Sequence, residues 1–399
     1  MSTMNTPASS RGKFTDDHDV LSAARAIAPL LADRATEGER RATTPPDVLD
    51  AIADAGLFTL LLPAALGGTP CDPSTVVDVI ETVAHADGSA GWTTMIGNGS
   101  SLLAWYEPEV GRRVLATSRY PTITSVFAPR GRAIPAGSDR YRISGRWVFN
   151  SGAPHCDWFL AAVVIDDDDT SPPPDADLSN VRFALFPARD AEIVETWQAA
   201  GLQGTGSHDI TVSDAVVPGS YLTNPFYDPV HYNDVHCRLP FWTLMMILMS
   251  GFPLGVARRA LDEFGDYAPR RARSHAGSLA LDPVVQVDLA RADAALAAAR
   301  SAVHQAVSHA WHQVRHGLSL SIPERARVTA ANLHAMTTGV QVVDQVFSHA
   351  GGSALYLTNP LQRCLRDIHA ANQHIAYSTE AWRSVGRALL DVPQPDLRI

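Results

Sequence analysis

Two histidines and a cluster of arginines hold most of the chemistry legible in this chain. His369 and His374 close the stretch Gly351-Gly352-Ser353-Ala354-Leu355-Tyr356…His374, and imidazole is the side chain whose ordinary pKa lies nearest neutrality. Arg363, Arg366 and Asp367 bring charge to the start of the same predicted helix, and Gly351-Gly352 lets backbone approach a ligand with no Cβ in the way. Read blandly, the stretch is a helix start with capping charges and surface histidines. Arg270, Arg271 and Arg273 form a second basic group, whose forked donors suit a phosphate. His309, His312 and His316 share a helix face, but with no carboxylate or cysteine beside them they read as a solvated or interface stripe and not as a metal site.

What the chain lacks narrows the chemistry. No GxGxxG follows a predicted strand, and GLQGTGSHD (201–209) has the wrong order for a nicotinamide site. Walker, HExxH and GxSxG patterns are absent. The formal charge of −10 argues against nucleic-acid binding. No apolar run reaches the ~20 residues that cross a bilayer. The polar N-terminus reads as a frayed tail over 1–17 with no signal-peptide core. The four cysteines, scattered with no CxxC pair, point to a reducing cytoplasm.

The elements that must position these residues fall into three blocks over 399 residues. Apolar residues at helical spacing (Val20, Leu21, Ala24, Ile27; Val48, Leu49, Ile52; Val76, Val77, Ile80, Val83) predict helices over 18–120. GSAGWTTMIGNGSSLLAWY predicts one small-residue helix packed against something flat. β-branched and aromatic runs broken by Gly, Pro and Asp predict a β domain over 121–220, with 166–180 an acidic, Pro-rich loop. Helices return over 221–399 as a four-helix bundle. FWTLMMILMSGFPLGVARRALDEF is apolar nearly all round and calls for burial, and residues 360–391 read as a single helix.

This order, mainly α with a central β domain, resembles the acyl-CoA dehydrogenase fold: N-terminal helical domain, middle β-barrel domain, C-terminal four-helix bundle. The markers are LLLPAALGG, ADGSAGW, GRWVFNSGAPHCDW, GLQGTGSHDITVSDAVVP, GFPLGVARRALDEF and GGSALY…LRDIHAANQH, which span about residues 18–391. SGAPHCDW and RDIHAANQH make the chain most similar to the oxygenase components of two-component flavin-dependent monooxygenases, the para-hydroxyphenylacetate and seco-steroid phenol hydroxylases among them. The resemblance implies reduced flavin (FADH2 or FMNH2) from a separate reductase, O2, hydroxylation of a small aromatic substrate through a flavin C4a-hydroperoxide, and a homotetramer with flavin at a subunit boundary. It also implies roles. His374 is the first catalytic candidate, as a proton acceptor or a hydrogen-bond partner of activated oxygen. Ser151 and His155 touch flavin or substrate. Trp92, Asn150, Ser151, Gly152, Arg270, Arg271, Arg273, Gly351, Gly352 and Ser353 bind the cofactor, and His369 faces away. Dehydrogenases of this fold place a carboxylate base shortly after the Arg-Asp pair or on the helix before GFPLG; here Ile368–Thr379 and Val235–Leu261 contain no Asp or Glu. N-oxygenation of an amino sugar, acyl-CoA dehydrogenation and non-catalytic flavin binding are the other readings.

Overall fold

The computed structural model describes residues 17–166, 178–273, 277–393 and 399. The expected tail and most of the acidic loop lie outside those residues. The first block is helical: α1 (Asp17–Arg41), α2 (Pro46–Asp54), α3 (Pro73–Ala86), α4 (Gly88–Gly97) and α5 (Pro108–Thr117). Two sharp stops shape it. Asp72 caps α3, accepting from the Ser74 N–H, and Asp87 ends α3 while capping α4, its carboxylate accepting from the Ala90 N–H at 2.9 Å. The small-residue helix of the sequence reading is in fact two pieces. α4 ends at Gly97, and Asn98–Trp105 continues as a 3-10 turn.

The middle block is one seven-stranded sheet, ordered β5-β6-β2-β1-β3-β4-β7. Its strands are β1 (Thr124–Pro135), β2 (Arg140–Asn150), β3 (Trp158–Ile165), β4 (Val181–Pro187), β5 (Glu192–Val194), β6 (His208–Pro218) and β7 (Leu222–Thr223). β1 and β3 run parallel and the other neighbours antiparallel. Hydrogen bonds do not join the end strands β5 and β7 among the described residues, so the β domain forms as an open sheet and not as a closed barrel. β7 lies just past the expected break at 220.

The last block holds α6 (Phe241–Tyr267), a small hairpin β8 (Ala272–Arg273) and β9 (Gly277–Ser278), α7 (Pro283–Arg315), α8 (Ile322–Ala350), α9 (Pro360–Ala371) and α10 (Thr379–Leu389). Among the described residues, Phe241–Arg270 is the one stretch long and apolar enough to cross a bilayer, and 89% of its apolar window is buried inside the fold. Gly251 and Gly255 let it approach α3, where a Cβ would meet the Val77 and Glu81 carbonyls at 2.4 and 2.3 Å. Pro253 has no N–H for the Met249 carbonyl one turn earlier. The Tyr377 hydroxyl donates to that carbonyl instead, at 3.1 Å.

That bond matters for the bundle's last element. The single helix expected over 360–391 is broken into α9, a 3-10 turn at Ile375–Tyr377, and α10. Cooperating caps cause the break: His374 caps the 3-10 turn and Ser378 caps α10.

Candidate functional site

α4, the end of β2 and the α9–α10 break converge on Trp92. Its indole Nε1 donates to Ser151 Oγ at 3.0 Å. Its ring meets His374 edge-on, centroids 5.7 Å apart and planes at 71°, and meets Phe252 of α6 at 5.2 Å and 86°. Trp92, Ser151 and Phe252 are buried. Residues from all three blocks therefore meet in one largely apolar cluster, to which Tyr377 and the Met249 carbonyl are tied.

Behind Ser151 runs a line of hydroxyls. Ser151 Oγ lies 2.8 Å from Ser207 Oγ, and Ser207 Oγ lies 2.6 Å from Thr205 Oγ1. Thr205 Oγ1 donates to the Leu202 carbonyl at 2.7 Å. Ser207 and Thr205 belong to GLQGTGSHD, where composition alone signalled only a failed nucleotide motif. The overlooked signal was alternating hydroxyls on a glycine turn facing a buried serine.

His374 is neutral. Burial lowers its pKa to about 4. Its Nδ1 accepts the Ala376 N–H at 3.2 Å, so the ring's one hydrogen sits on Nε2. The ring is a loop cap that accepts from backbone and keeps Nε2–H to donate.

Asn150 and Gly152 flank Ser151. Asn150 is fully buried, donates to the Trp147 carbonyl at 2.8 Å, and leaves Oδ1 without a partner. Gly152 stands at φ +84°, a conformation L side chains avoid, and a Cβ there would crowd the His155 ring at 3.0 Å. His155 packs edge-on to Tyr120 at 6.5 Å with a buried, unpartnered Nδ1, and burial lowers its pKa to about 4. No hydrogen bond or ring contact joins it to Trp92 or His374.

A second junction holds α4 in place, and sequence reasoning missed its role. Asp367 on α9 accepts the Leu202 N–H at 2.6 Å. A Cβ on Gly88 would stand 2.7 Å from its Oδ2, and one on Gly201 would strike the Arg366 carbonyl. Burial, and then the charge of Asp87, push the Asp367 carboxyl up to about 7, and burial raises Asp87 too. Arg363 and Arg366 are not free for a ligand: both pair with Glu39 of α1, and Arg366 donates to the Ala200 carbonyl.

The phosphate candidates stand elsewhere. Arg270 and Arg271 are exposed; Arg273 enters the small hairpin, its side chain outside the described residues. Gly351 and Gly352 are exposed with open space around them, and Ser353 is half-buried. These two groups do share one end of the bundle, because the Tyr267 hydroxyl donates to the Ala350 carbonyl at 2.9 Å. The twelve residues of α9, roughly 18 Å of helix, lie between that end and His374.

The remaining candidates are structural. His369 pairs with Asp344 at 2.7 Å on the surface. His309 has a carboxylate neighbour after all, Glu324 at 2.9 Å, which closes the α8 capping box with Ser321. His312 and His316 stack at 4.2 Å. Asp78, Glu81 and His304 lie close enough to hold a metal ion, but the Arg300 guanidinium already bridges both carboxylates.

Known proteins match this arrangement along most of the chain. The family description "Acyl-CoA dehydrogenase, N-terminal domain" matches residues 16–116, and "Acyl-CoA dehydrogenase, C-terminal domain" matches 247–379. The chain is 31% identical over 360 residues to indole-3-acetate monooxygenase of Pseudomonas putida, covering 89% of this chain and 90% of that one. It is 28% identical over 383 residues to the flavin-dependent monooxygenase oxygenase subunit HsaA of Mycobacterium tuberculosis, covering 92% and 93%. The crystal structure of HsaA monooxygenase from M. tuberculosis superposes with a TM-score of 0.87 at 27% identity, over 96% of this chain and all of that one.

Proposed function

The chain belongs to the flavin-dependent monooxygenases built on the acyl-CoA dehydrogenase fold, and from that premise we propose that it hydroxylates an aromatic ring, indole-like or phenolic. Reduced flavin and dioxygen are its co-substrates. The observation that carries the reading is the pairing of Trp92 with a neutral, donor-bearing His374 where a dehydrogenase would need a carboxylate base. Of the two acidic groups nearest in sequence, Asp367 is committed to the Leu202 N–H and Glu380 pairs with Arg383.

The residues present fit a flavin ring. Ser151 and the unpartnered Asn150 Oδ1 offer polar contacts beside an otherwise apolar face of Trp92, Phe252 and its α6 neighbours. When bound, reduced flavin supplies the electrons that activate dioxygen for insertion of one oxygen atom. The protein's part is to orient and to keep water away, because water diverts activated oxygen to hydrogen peroxide. Trp92 fixes Ser151 by its indole hydrogen bond and limits the His374 ring by edge contact. His374 Nε2–H is a fixed neutral donor for an oxygen that gains charge during transfer, a role that suits the tautomer better than that of a base. His155 supports the Gly152 turn from beneath.

A separate reductase supplies the reduced flavin, in line with the name "oxygenase subunit" carried by the HsaA relative. The assembly we infer is a homotetramer with flavin at a subunit boundary. Its support is the separation of the arginine–glycine end from Trp92 and His374, and the exposed Leu355, Tyr356, Leu357, Leu389 and Leu390 on the bundle. Four free, buried cysteines support a cytoplasmic setting.

The test supplies chemically reduced FMN or FAD, ¹⁸O-labelled dioxygen and a panel of indoles and phenols headed by indole-3-acetate. One labelled oxygen atom in a ring-hydroxylated product is expected. Hydrogen peroxide as the sole product across the panel would overturn the aromatic reading.

A further inference from the structure

Counting hydrogens gives a direction to the line of hydroxyls behind Ser151. Indole nitrogen only donates, so the 3.0 Å bond from Trp92 occupies one lone pair of Ser151 Oγ. At the far end a carbonyl only accepts, so Thr205 gives its hydrogen to Leu202 O at 2.7 Å. Ser207 then has Thr205 Oγ1 as its acceptor at 2.6 Å, and Ser151 has Ser207 Oγ at 2.8 Å. Every hydroxyl has one hydrogen and all are used. Ser151 keeps a single free lone pair for whatever lies over it and presents itself as an acceptor. Ser207 and Thr205 are buried, at 3% and 0% exposure, so water does not substitute for either.

A second arrangement exists because the far end is oversupplied. Leu202 O also accepts the Trp197 indole N–H at 3.0 Å and the Thr205 backbone N–H at 3.1 Å. Three donors meet two lone pairs, so the Thr205 hydroxyl can turn away without leaving that carbonyl bare. It then donates to Ser207, Ser207 donates to Ser151, and the Ser151 hydrogen points outward. This reversed line makes three internal bonds where the first makes four, and an acceptor outside must complete it.

Flavin is a ligand whose hydrogen-bonding sense changes with its redox state. The reduced ring carries a hydrogen on N5; the oxidised ring has a bare, accepting nitrogen there. We propose that the Trp92–Ser151–Ser207–Thr205 line discriminates between the two redox states, receiving the N–H of reduced flavin in its four-bond arrangement and holding oxidised flavin only when the Ser151 hydrogen turns outward, alone or with the whole line, which leaves three internal bonds. The proposal rests on the flavin-dependent reading above, with the ring set against Ser151. It gives the oxygenase a built-in bias towards taking up reduced flavin and letting oxidised flavin go. Ser207 and Thr205 are positioning residues: they act through the orientation of the Ser151 hydroxyl.

The test measures equilibrium affinity for oxidised and, anaerobically, for reduced FMN and FAD. The parent binds the reduced form more tightly. Ser207→Ala removes the acceptor for the Ser151 hydrogen. Thr205→Val leaves Ser207 nothing to donate to but Ser151, which forces the Ser151 hydrogen outward. Each variant is expected to lower the ratio of oxidised to reduced dissociation constants by about five- to tenfold, the worth of one hydrogen bond. Thr205→Ser retains the hydroxyl and the parent ratio. Circular dichroism checks the fold, and either variant alone decides if the other does not fold. Equal weakening of both redox states in the variants means a purely structural role and overturns the proposal, as does a parent that binds both states alike. A parent that binds neither state overturns the flavin reading itself, a separate and distinguishable failure.

Discussion

The Trp92 indole stands edge-on to the His374 imidazole, 5.7 Å between centroids, while its one hydrogen goes to Ser151. One side chain from α4 thus sets the position of groups from the sheet and from the α9–α10 break. The arrangement makes His374 a donor held in place. His374→Ala should keep flavin affinity but lose product by ~10²-fold or more, the usual cost of removing one preorganised donor, with hydrogen peroxide rising in its place. His374→Asn retains an amide donor and should recover part of the coupling. Product and peroxide yields per reduced flavin measure both; an Ala variant that hydroxylates like the parent removes His374 from the site.

Two half-buried histidines set an acid limit on stability. Burial lowers the pKa of His374 and of His155 from the ordinary 6.5 to about 4. The unfolded chain therefore takes up protons first as pH falls. The associated stability is fully present above about pH 6.5 and is lost between 6.5 and 4. Thermal melts of His374→Asn should show a shallower loss over that window than the parent, and the rate profile should show no break near 6.5 that vanishes in the variant.

Asp367 acts in the opposite sense over an overlapping window. Burial raises its pKa from the ordinary 3.8 to about 7, so its contribution is fully present below about 3.8 and is lost as pH rises towards 7. Asp367→Asn keeps an oxygen to accept the Leu202 N–H and removes the charge facing Asp87. The variant's melting temperature should gain on the parent's from pH 5 to pH 8. A constant difference across that range would mean that Asp367 does not titrate there.

Arg270 and Arg271 are exposed and Gly351 and Gly352 border open space, so replacing them should leave the folded chain intact. Arg→Ala at 270, 271 and 273 together should weaken flavin binding by roughly 10-fold or more, since hydrogen bonds to charged groups are worth about 1.5–3 kcal/mol each. Light scattering on the parent should give a tetramer. Unchanged flavin affinity in the triple variant would place the phosphate elsewhere, and a monomer would remove the inferred subunit boundary.

Much of this was readable from the residues, for local reasons. The apolar spacing of Val76, Val77, Ile80 and Val83 is a property of one helix, and α3 forms as read. The near-continuous apolar run from Phe241 demanded burial and found it. What could not be read is contact between distant segments. Nothing near Ser207 in sequence announces Ser151, 56 positions earlier. The break after α9 was hidden because IHAANQHIAYSTEAW keeps helical composition throughout; it takes the caps at His374 and Ser378, and the Tyr377 tether to α6, to open it. Asp367 looked like helix-start charge because its partner, the Leu202 N–H, belongs to another block.

The Pro253 defect carries a consequence for descent. The proline strands the Met249 carbonyl, and the Tyr377 hydroxyl is what rescues it, 128 positions away in the chain. A tyrosine without the proline shares its carbonyl with the N–H of position 253, since that oxygen has two lone pairs; a proline without the tyrosine leaves a buried oxygen bare. Loss of the tyrosine alone loosens the turn that begins at His374. Lineages that keep His374 at work should therefore keep the tyrosine at 377 wherever 253 is proline, and a chain that has exchanged the tyrosine should be found to have exchanged the proline.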